Sequence, residues 1–222
     1  MNKTVIALDG PSGAGKSSLA KEIAKRLGIV YLDTGALYRT VGLYAKKRGV
    51  DPKCESEVTP ILADLNVDVK IVDGSQQVYL NGECVGDAIR TPEMSMYASA
   101  VSAHPSVRAF LLDTQRAFAR VSSVIMDGRD IGSVVLPDAD VKIFLTASDE
   151  VRAERRLKEL TEKGQKVTFE EVLDDMRRRD LADSTRAAAP LKQADGAVLL
   201  DNSNLDFEGT VIRALEIIET GK

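Results

Sequence analysis

Histidine is almost missing from this 222-residue chain: His104 stands alone. Cysteine is nearly as scarce, with only Cys54 and Cys84 and no C-x-x-C pair. No metal-ligand spacing results, which disfavours a zinc site and histidine-based general catalysis. Free thiols in a reducing compartment are the simpler expectation. Positive charge is not in excess either, with a net charge of −4, and aromatic residues make up 5% of the chain. That balance removes the basic, aromatic-interleaved patch of a nucleic-acid binder and any general attraction to anionic membrane. No apolar run approaches membrane-spanning length, and the N-terminus lacks the shape of a signal peptide. The expectation is a cytoplasmic monomer with no nucleic-acid or membrane partner. The length suits one large domain, or one domain carrying an insert.

What is present is concentrated in residues 10–17, Gly-Pro-Ser-Gly-Ala-Gly-Lys-Ser, which fill every fixed position of G-x-x-x-x-G-K-[ST]. Thr4 to Leu8 before it is an apolar run of strand character. Ser17 to Leu27 after it puts Leu19, Ala20, Ile23, Ala24 and Leu27 on one helical face, with Gly28 as a stop. A strand that turns sharply into a helix leaves the first helical N–H groups unpaired. Glycines at 10, 13 and 15 let backbone amides close around phosphate oxygens, and the helix dipole adds positive potential. Lys16 is expected at the outer phosphates of a nucleoside triphosphate, and the Ser17 hydroxyl on Mg²⁺. The phosphate-binding set is Gly10, Pro11, Ser12, Gly13, Ala14, Gly15, Lys16, Ser17 and Ser18.

Further along, 29–32, 124–127, 141–145 and 197–201 read as buried strands alternating with helices. The fold class is α/β: a mostly parallel, five-stranded sheet flanked by helices on both faces. Residues 66–90 break that rhythm. Val67, Val69 and Ile71 alternate with polar residues, Asp73-Gly74 and Asn81-Gly82 are turn signals, and a small inserted antiparallel sheet is expected. Thr91-Pro92 and Pro105 open helices, and Thr168 with Glu171 forms a capping box. His104, before Pro105, reads as a surface residue at a helix start. Ligands of such sheets sit at the carboxyl ends of the strands, which gathers Gly10–Ser17, Asp33–Arg39 and Asp127–Asp130 at one edge.

The chain offers many arginines but no nucleophile–base pair, which favours phosphoryl transfer over covalent catalysis. Arg39, Arg129 and the groups at 152–156 and 177–186 are candidate phosphate ligands. For the last two groups the alternative is a solvated helix face with i,i+4 ion pairs. Asp33 and Asp127, each ending an apolar strand, could orient waters around Mg²⁺; Asp127 could instead fix the tight turn that follows it.

The runs D-G-P-S-G-A-G-K-S-S, L-D-T-G-A-L-Y-R, I-R-T-P-E, D-G-R-D-I-G-S-V-V-L-P-D-A-D and R-R-D-x-x-D-S-T-R-A-A-A-P-L occur in order between residues 9 and 192. Together they resemble bacterial cytidylate kinases of the P-loop nucleoside monophosphate kinase superfamily. The resemblance implies one kinase domain over 1–222, a substrate-binding insert at 66–90 and a lid at 148–166. It implies MgATP as donor and CMP or dCMP as acceptor, with Lys16, Arg129 and Arg39 catalytic. Thr34, Arg39 and Arg129 would lie at the acceptor phosphate, Ser99, Arg108 and Asp130 at the base, and Asp183 and Arg186 at the sugar. Arg179 would reach the acceptor, while Arg155 and Arg156 fall in the lid, Arg155 toward ATP. Two rivals remain at this level: a P-loop kinase for another phosphorylated small molecule, and a non-catalytic nucleotide switch.

Overall fold

A computed structural model describes residues 3–162 and 164–221; residue 163, within the expected lid, lies outside them. The apolar run at the N-terminus forms β1 (Val5–Asp9), buried at every position. The glycine-rich loop leads into α1 (Lys16–Leu27), which stops at Gly28 in the left-handed conformation. Next come β2 (Val30–Asp33), α2 (Thr34–Arg48) and a short α3 (Glu55–Ile61). The inserted region holds β3 (Val67–Val72), β4 (Ser75–Leu80) and β5 (Glu83–Cys84). Helices α4 (Pro92–Val101) and α5 (Pro105–Val121) precede β6 (Val124–Gly128) and β7 (Val141–Thr146). The chain ends through α6 (Asp149–Glu162), α7 (Phe169–Thr185), β8 (Val198–Asp201) and α8 (Phe207–Thr220).

The five-stranded parallel sheet expected from the alternation has the order β2-β6-β1-β7-β8. β1 runs beside β7 with Ile6 opposite Val141, and β7 beside β8 with Ile143 opposite Val198. The second sheet, β3-β4-β5, is antiparallel, with Val67 opposite Leu80 and Tyr79 opposite Cys84. Its turns fall at Asp73-Gly74 and Asn81-Gly82, where Asp73 and Asn81 both take φ of 50°. Such positive φ values are what tight hairpin turns require and what Asn and Asp tolerate best.

Two compact units divide the chain: residues 1–4 with 29–126, and residues 5–28 with 127–222. In the first, α2 packs on α4, and α5 buries Val107, Leu111, Gln115 and Ala119 at every fourth position. Phe110, Thr114 and Phe118, flanking that row, are half-buried. Gln115 can join the buried row because its amide donates to the Leu111 carbonyl at 3.2 Å. His104 is a correction. It does precede α5, but it is 7% exposed, with Nε2 2.8 Å from the Pro52 carbonyl. A buried ring with its nitrogen paired to backbone is a packing residue, not a surface one.

In the second unit Ile6, Leu8, Ile143 and Leu145 of the sheet are buried along with Leu19 and Ile23 of α1 and Val211, Ala214 and Ile217 of α8. A separate apolar cluster of Ala153, Leu160, Val172 and Met176 joins α6 to α7. The Thr168–Glu171 capping box is fully formed at the start of α7. Among the described residues no helix is long and apolar enough to cross a membrane.

Candidate active site

The phosphate-binding loop lies wholly in the second unit. Gly10 takes φ of 150° and passes so close to β7 that a Cβ would sit 2.0 Å from the Leu145 carbonyl oxygen. Any side chain there would displace backbone, so the loop can cross β7 only as glycine. Gly15 N-caps α1, and Gly13, Gly15, Ser17 and Ser18 are exposed, while Pro11, Ser12, Ala14 and Lys16 are buried. The Lys16 amine donates to the Pro11 carbonyl at 2.7 Å. Burial, with Arg129 adding like-charge repulsion, pushes the Lys16 pKa down to about 7.

The loop is gripped from behind by side chains outside the expected set. The Ser12 N–H donates to Asp180 Oδ1 at 3.0 Å, and the Ser12 carbonyl accepts from Arg152 Nη1 at 2.7 Å. Arg152 also pairs with Asp180 and Asp149 and donates Nε to the Ala147 carbonyl. The Ala14 carbonyl accepts from Asn202 Nδ2 at 3.2 Å. Arg155 spans the same Asn202, reaching its side-chain and main-chain oxygens at 3.0 Å each. The Ser12 N–H is engaged by Asp180, and Arg152, a candidate phosphate ligand whose alternative was a solvated helix face, is a 4% exposed anchor of the loop. Arg156 and Arg178 form surface ion pairs at i,i+3 helix spacing with Glu159 and Asp175, while Arg177 of α7 reaches across to Asp149 of α6.

Beside the loop, Ser17 Oγ donates to Asp127 Oδ2 at 2.7 Å. Hard oxygen donors of this kind, without a dedicated carboxylate cage, suit Mg²⁺, which keeps several waters and shares phosphate oxygens. Among the described residues no group of three potential metal ligands occurs. The turn after β6 is fixed by Asp9, whose two carboxylate oxygens accept from the Ile131 and Gly132 amides at 2.7 and 2.8 Å. Burial pushes the Asp9 carboxyl up to about 6 against the lowering effect of those amides. Arg129 Nε donates to Asp183 Oδ2 at 2.9 Å. Burial alone would lower the Arg129 pKa, but Asp183, with Asp180 and Asp127, holds the guanidinium above its usual value. Arg186 lies 3.4 Å from Asp130 Oδ1 and 3.8 Å from Asp183 Oδ1. Arg179 is half-buried near this cluster, its pKa lowered by burial and then by the Arg129 charge. The structure therefore joins Arg129, Asp130, Asp183 and Arg186 in one charged network.

The first unit carries the remaining expected residues. Asp33 N-caps α2 through Ala36 N–H at 3.0 Å and pairs with Arg39 Nη2 at 2.7 Å. Both carboxylate oxygens have partners, so its contacts favour a cap and an arginine anchor over a metal role. Thr34 is buried at the first position of α2. Arg108 stacks over Tyr38 at 5.6 Å and donates to the Ser102 carbonyl at 3.2 Å, while Ser102 Oγ donates to the Ser99 carbonyl. Ser99, Arg108 and Tyr38 are thus linked by a short run of contacts.

The family described as cytidylate kinase matches residues 6–220. The chain belongs to the cytidylate kinase family. A cytidylate kinase of Fervidobacterium nodosum is 50% identical over 96% of this chain and 95% of its own. That of Caldicellulosiruptor saccharolyticus is 47% identical over 98% and 96%. A shikimate kinase structure from Bacteroides thetaiotaomicron covers 97% of this chain and 98% of its own, at 15% identity and a TM-score of 0.49. That likeness is too distant to bear on the chemistry.

Sequence reasoning passed over Asp180 and Asn202, and for Arg152 it missed the role of loop anchor. Asp180 sits in the R-R-D run and Asn202 follows a strand at its carboxyl end, so the strand-end rule had the signal for Asn202. Arg152 had none, because a buried hub and a solvated helix arginine look alike in a one-dimensional pattern.

Proposed function

We propose that this chain transfers the γ-phosphoryl group of ATP to CMP or dCMP, giving ADP and CDP or dCDP. The observation that carries the reading is the family match over residues 6–220 together with an intact phosphate-binding loop. An oxygen of the acceptor phosphate attacks the γ-phosphorus, the bond to the β–γ bridging oxygen breaks, and ADP leaves. The protein's part is to hold two polyanions in line and neutralise their charge.

In this reading Lys16 and the amides from Gly13 to Ser18 hold the β- and γ-phosphates of ATP. Ser17 and Asp127 are the residues suited to hold Mg²⁺, which supplies charge neutralisation on the phosphate oxygens when bound. Thr34, Arg39 and Arg129 take the acceptor phosphate, and Arg179 adds positive charge toward it. Ser99, Arg108 and Asp130 take the base, and Asp183 and Arg186 the sugar. A carboxylate at Asp130 accepts from the cytosine N4 amino group and repels the uracil O4 that stands in its place. Residues 66–90 belong to acceptor binding and 148–166 to a lid of a single kinase domain, with Arg155 on the ATP side. The test is ADP release over CMP, dCMP, UMP and AMP. CMP and dCMP are expected to be turned over at least about tenfold better than UMP by kcat/KM. Equal use of all four, or turnover without any of them, would contradict the reading.

A further inference from the structure

The hairpin sheet has a residue whose side chain does the work of a neighbouring strand. Gln76, on β4, lays its amide against the backbone of Asp33 at the end of β2. Its Oε1 accepts from the Asp33 N–H at 2.6 Å, and its Nε2 donates to the Asp33 carbonyl at 3.1 Å. One amide thus satisfies both main-chain groups of Asp33. With its backbone held, Asp33 divides its carboxylate between Ala36 N–H and Arg39 Nη2. Arg90, which closes the inserted region, sets Nη1 3.8 Å from the same Oδ2. Space for the pair comes from Gly35, where a Cβ would lie 3.1 Å from both Arg39 Nη1 and Asp33 Oδ1. Arg39 Nε is buried with no hydrogen-bond partner among the described residues. The direction of this guanidinium accordingly depends on Asp33, which holds one edge and leaves other N–H groups for a phosphate.

We infer that Gln76 is a positioning residue for the acceptor phosphate: through Asp33 it aims Arg39, and this gives the inserted hairpin its function. The inference rests on Arg39 being an acceptor-phosphate ligand, as proposed above. The linkage is chemically demanding. Glutamate has the right size, but its carboxylate would face the Asp33 carbonyl where a donor is required. Alanine leaves both Asp33 main-chain groups without this partner.

Steady-state kinetics of the full chain, with CMP and ATP varied separately, test it. Gln76→Ala and the near-isosteric Gln76→Glu are each expected to raise KM for CMP about tenfold, with KM for ATP held within about twofold. Gln77→Ala, the next residue of β4, is expected to move neither constant by more than about twofold. Added to Arg39→Lys, Gln76→Ala should worsen CMP use by less than about twofold, because both act through one guanidinium. The inference is overturned by an additive double variant, by equal rises in both KM values, or by an unchanged KM for CMP in both Gln76 variants. If the unaltered chain makes no CDP from CMP, the functional reading itself fails, and that result is separate from any comparison among variants.

Discussion

The loops at residues 10–17 and 33–39 are held in different ways. Residues 10–17 are fixed by charge from outside the loop, with Ser12 clamped between Asp180 and Arg152 and the Ala14 carbonyl tied to Asn202. Residues 33–39 are fixed by a helix cap, the pairing of Asp33 with Arg39 and, at 3.8 Å, Arg90, and a neutral amide from Gln76. A buried ion network resists local change because removing one member strands the others without solvent. Neutral hydrogen bonds to backbone carry less energy and can be altered one at a time. The loop at 10–17 is therefore expected to fail with the fold, and the loop at 33–39 to fail alone.

The sharpest break of that contrast lies at Arg152. Arg152→Met takes the ion-pair partner from Asp180 Oδ2, leaving only Oδ1 on the Ser12 N–H, and should destabilise the protein by about 3–5 kcal/mol in chemical denaturation. The exposed Arg177→Ala, on the same network's rim, should leave the denaturation midpoint close to the parent's. Equal losses would remove the distinction between clamp and rim.

Asp9 probes the donor side through pH. Its carboxyl is raised from 3.8 to about 6, with Asp130 facing it as a like charge and Lys16 as an opposite one. The folded state therefore binds the proton more tightly than the unfolded state. This group's contribution is full below about pH 4 and declines as pH rises to about 6, by on the order of 3 kcal/mol. Asp9→Asn should remove that part of the decline, as read from denaturation midpoints at pH 4, 5, 6 and 7. A pH profile identical to the parent would contradict it. The smallest expected effect is on selectivity: Asp130→Ala should narrow the CMP/UMP ratio of kcat/KM by about tenfold. An unchanged ratio places the base reader elsewhere.

Local signals carried much of this architecture. Asp73-Gly74 and Asn81-Gly82 became hairpin turns because those residues accept positive φ, and Thr168 with Glu171 capped α7 as their spacing requires. The loop at 10–17 was legible because its pattern between strand and helix is local, although the close approach that requires Gly10 comes from Leu145 on β7. Contacts between distant segments were not legible. Ser12 and Asp180 are 168 positions apart, and nothing in either neighbourhood marks the pair. Gln76 sits at an ordinary position of an alternating strand, so its hold on Asp33 emerges only when β4 is placed beside β2. His104 was misjudged because a proline marks a helix start without revealing which way the preceding ring turns.

The central claim is transfer of a phosphoryl group from the loop at residues 10–17 to a cytidine monophosphate. Incubating the chain with γ-labelled ATP and CMP, beside Lys16→Ala with native circular dichroism, tests it most directly. Label should move into CDP with the parent and fall by at least about a hundredfold with the variant. Label released only as inorganic phosphate, or undiminished transfer by Lys16→Ala, would contradict the account.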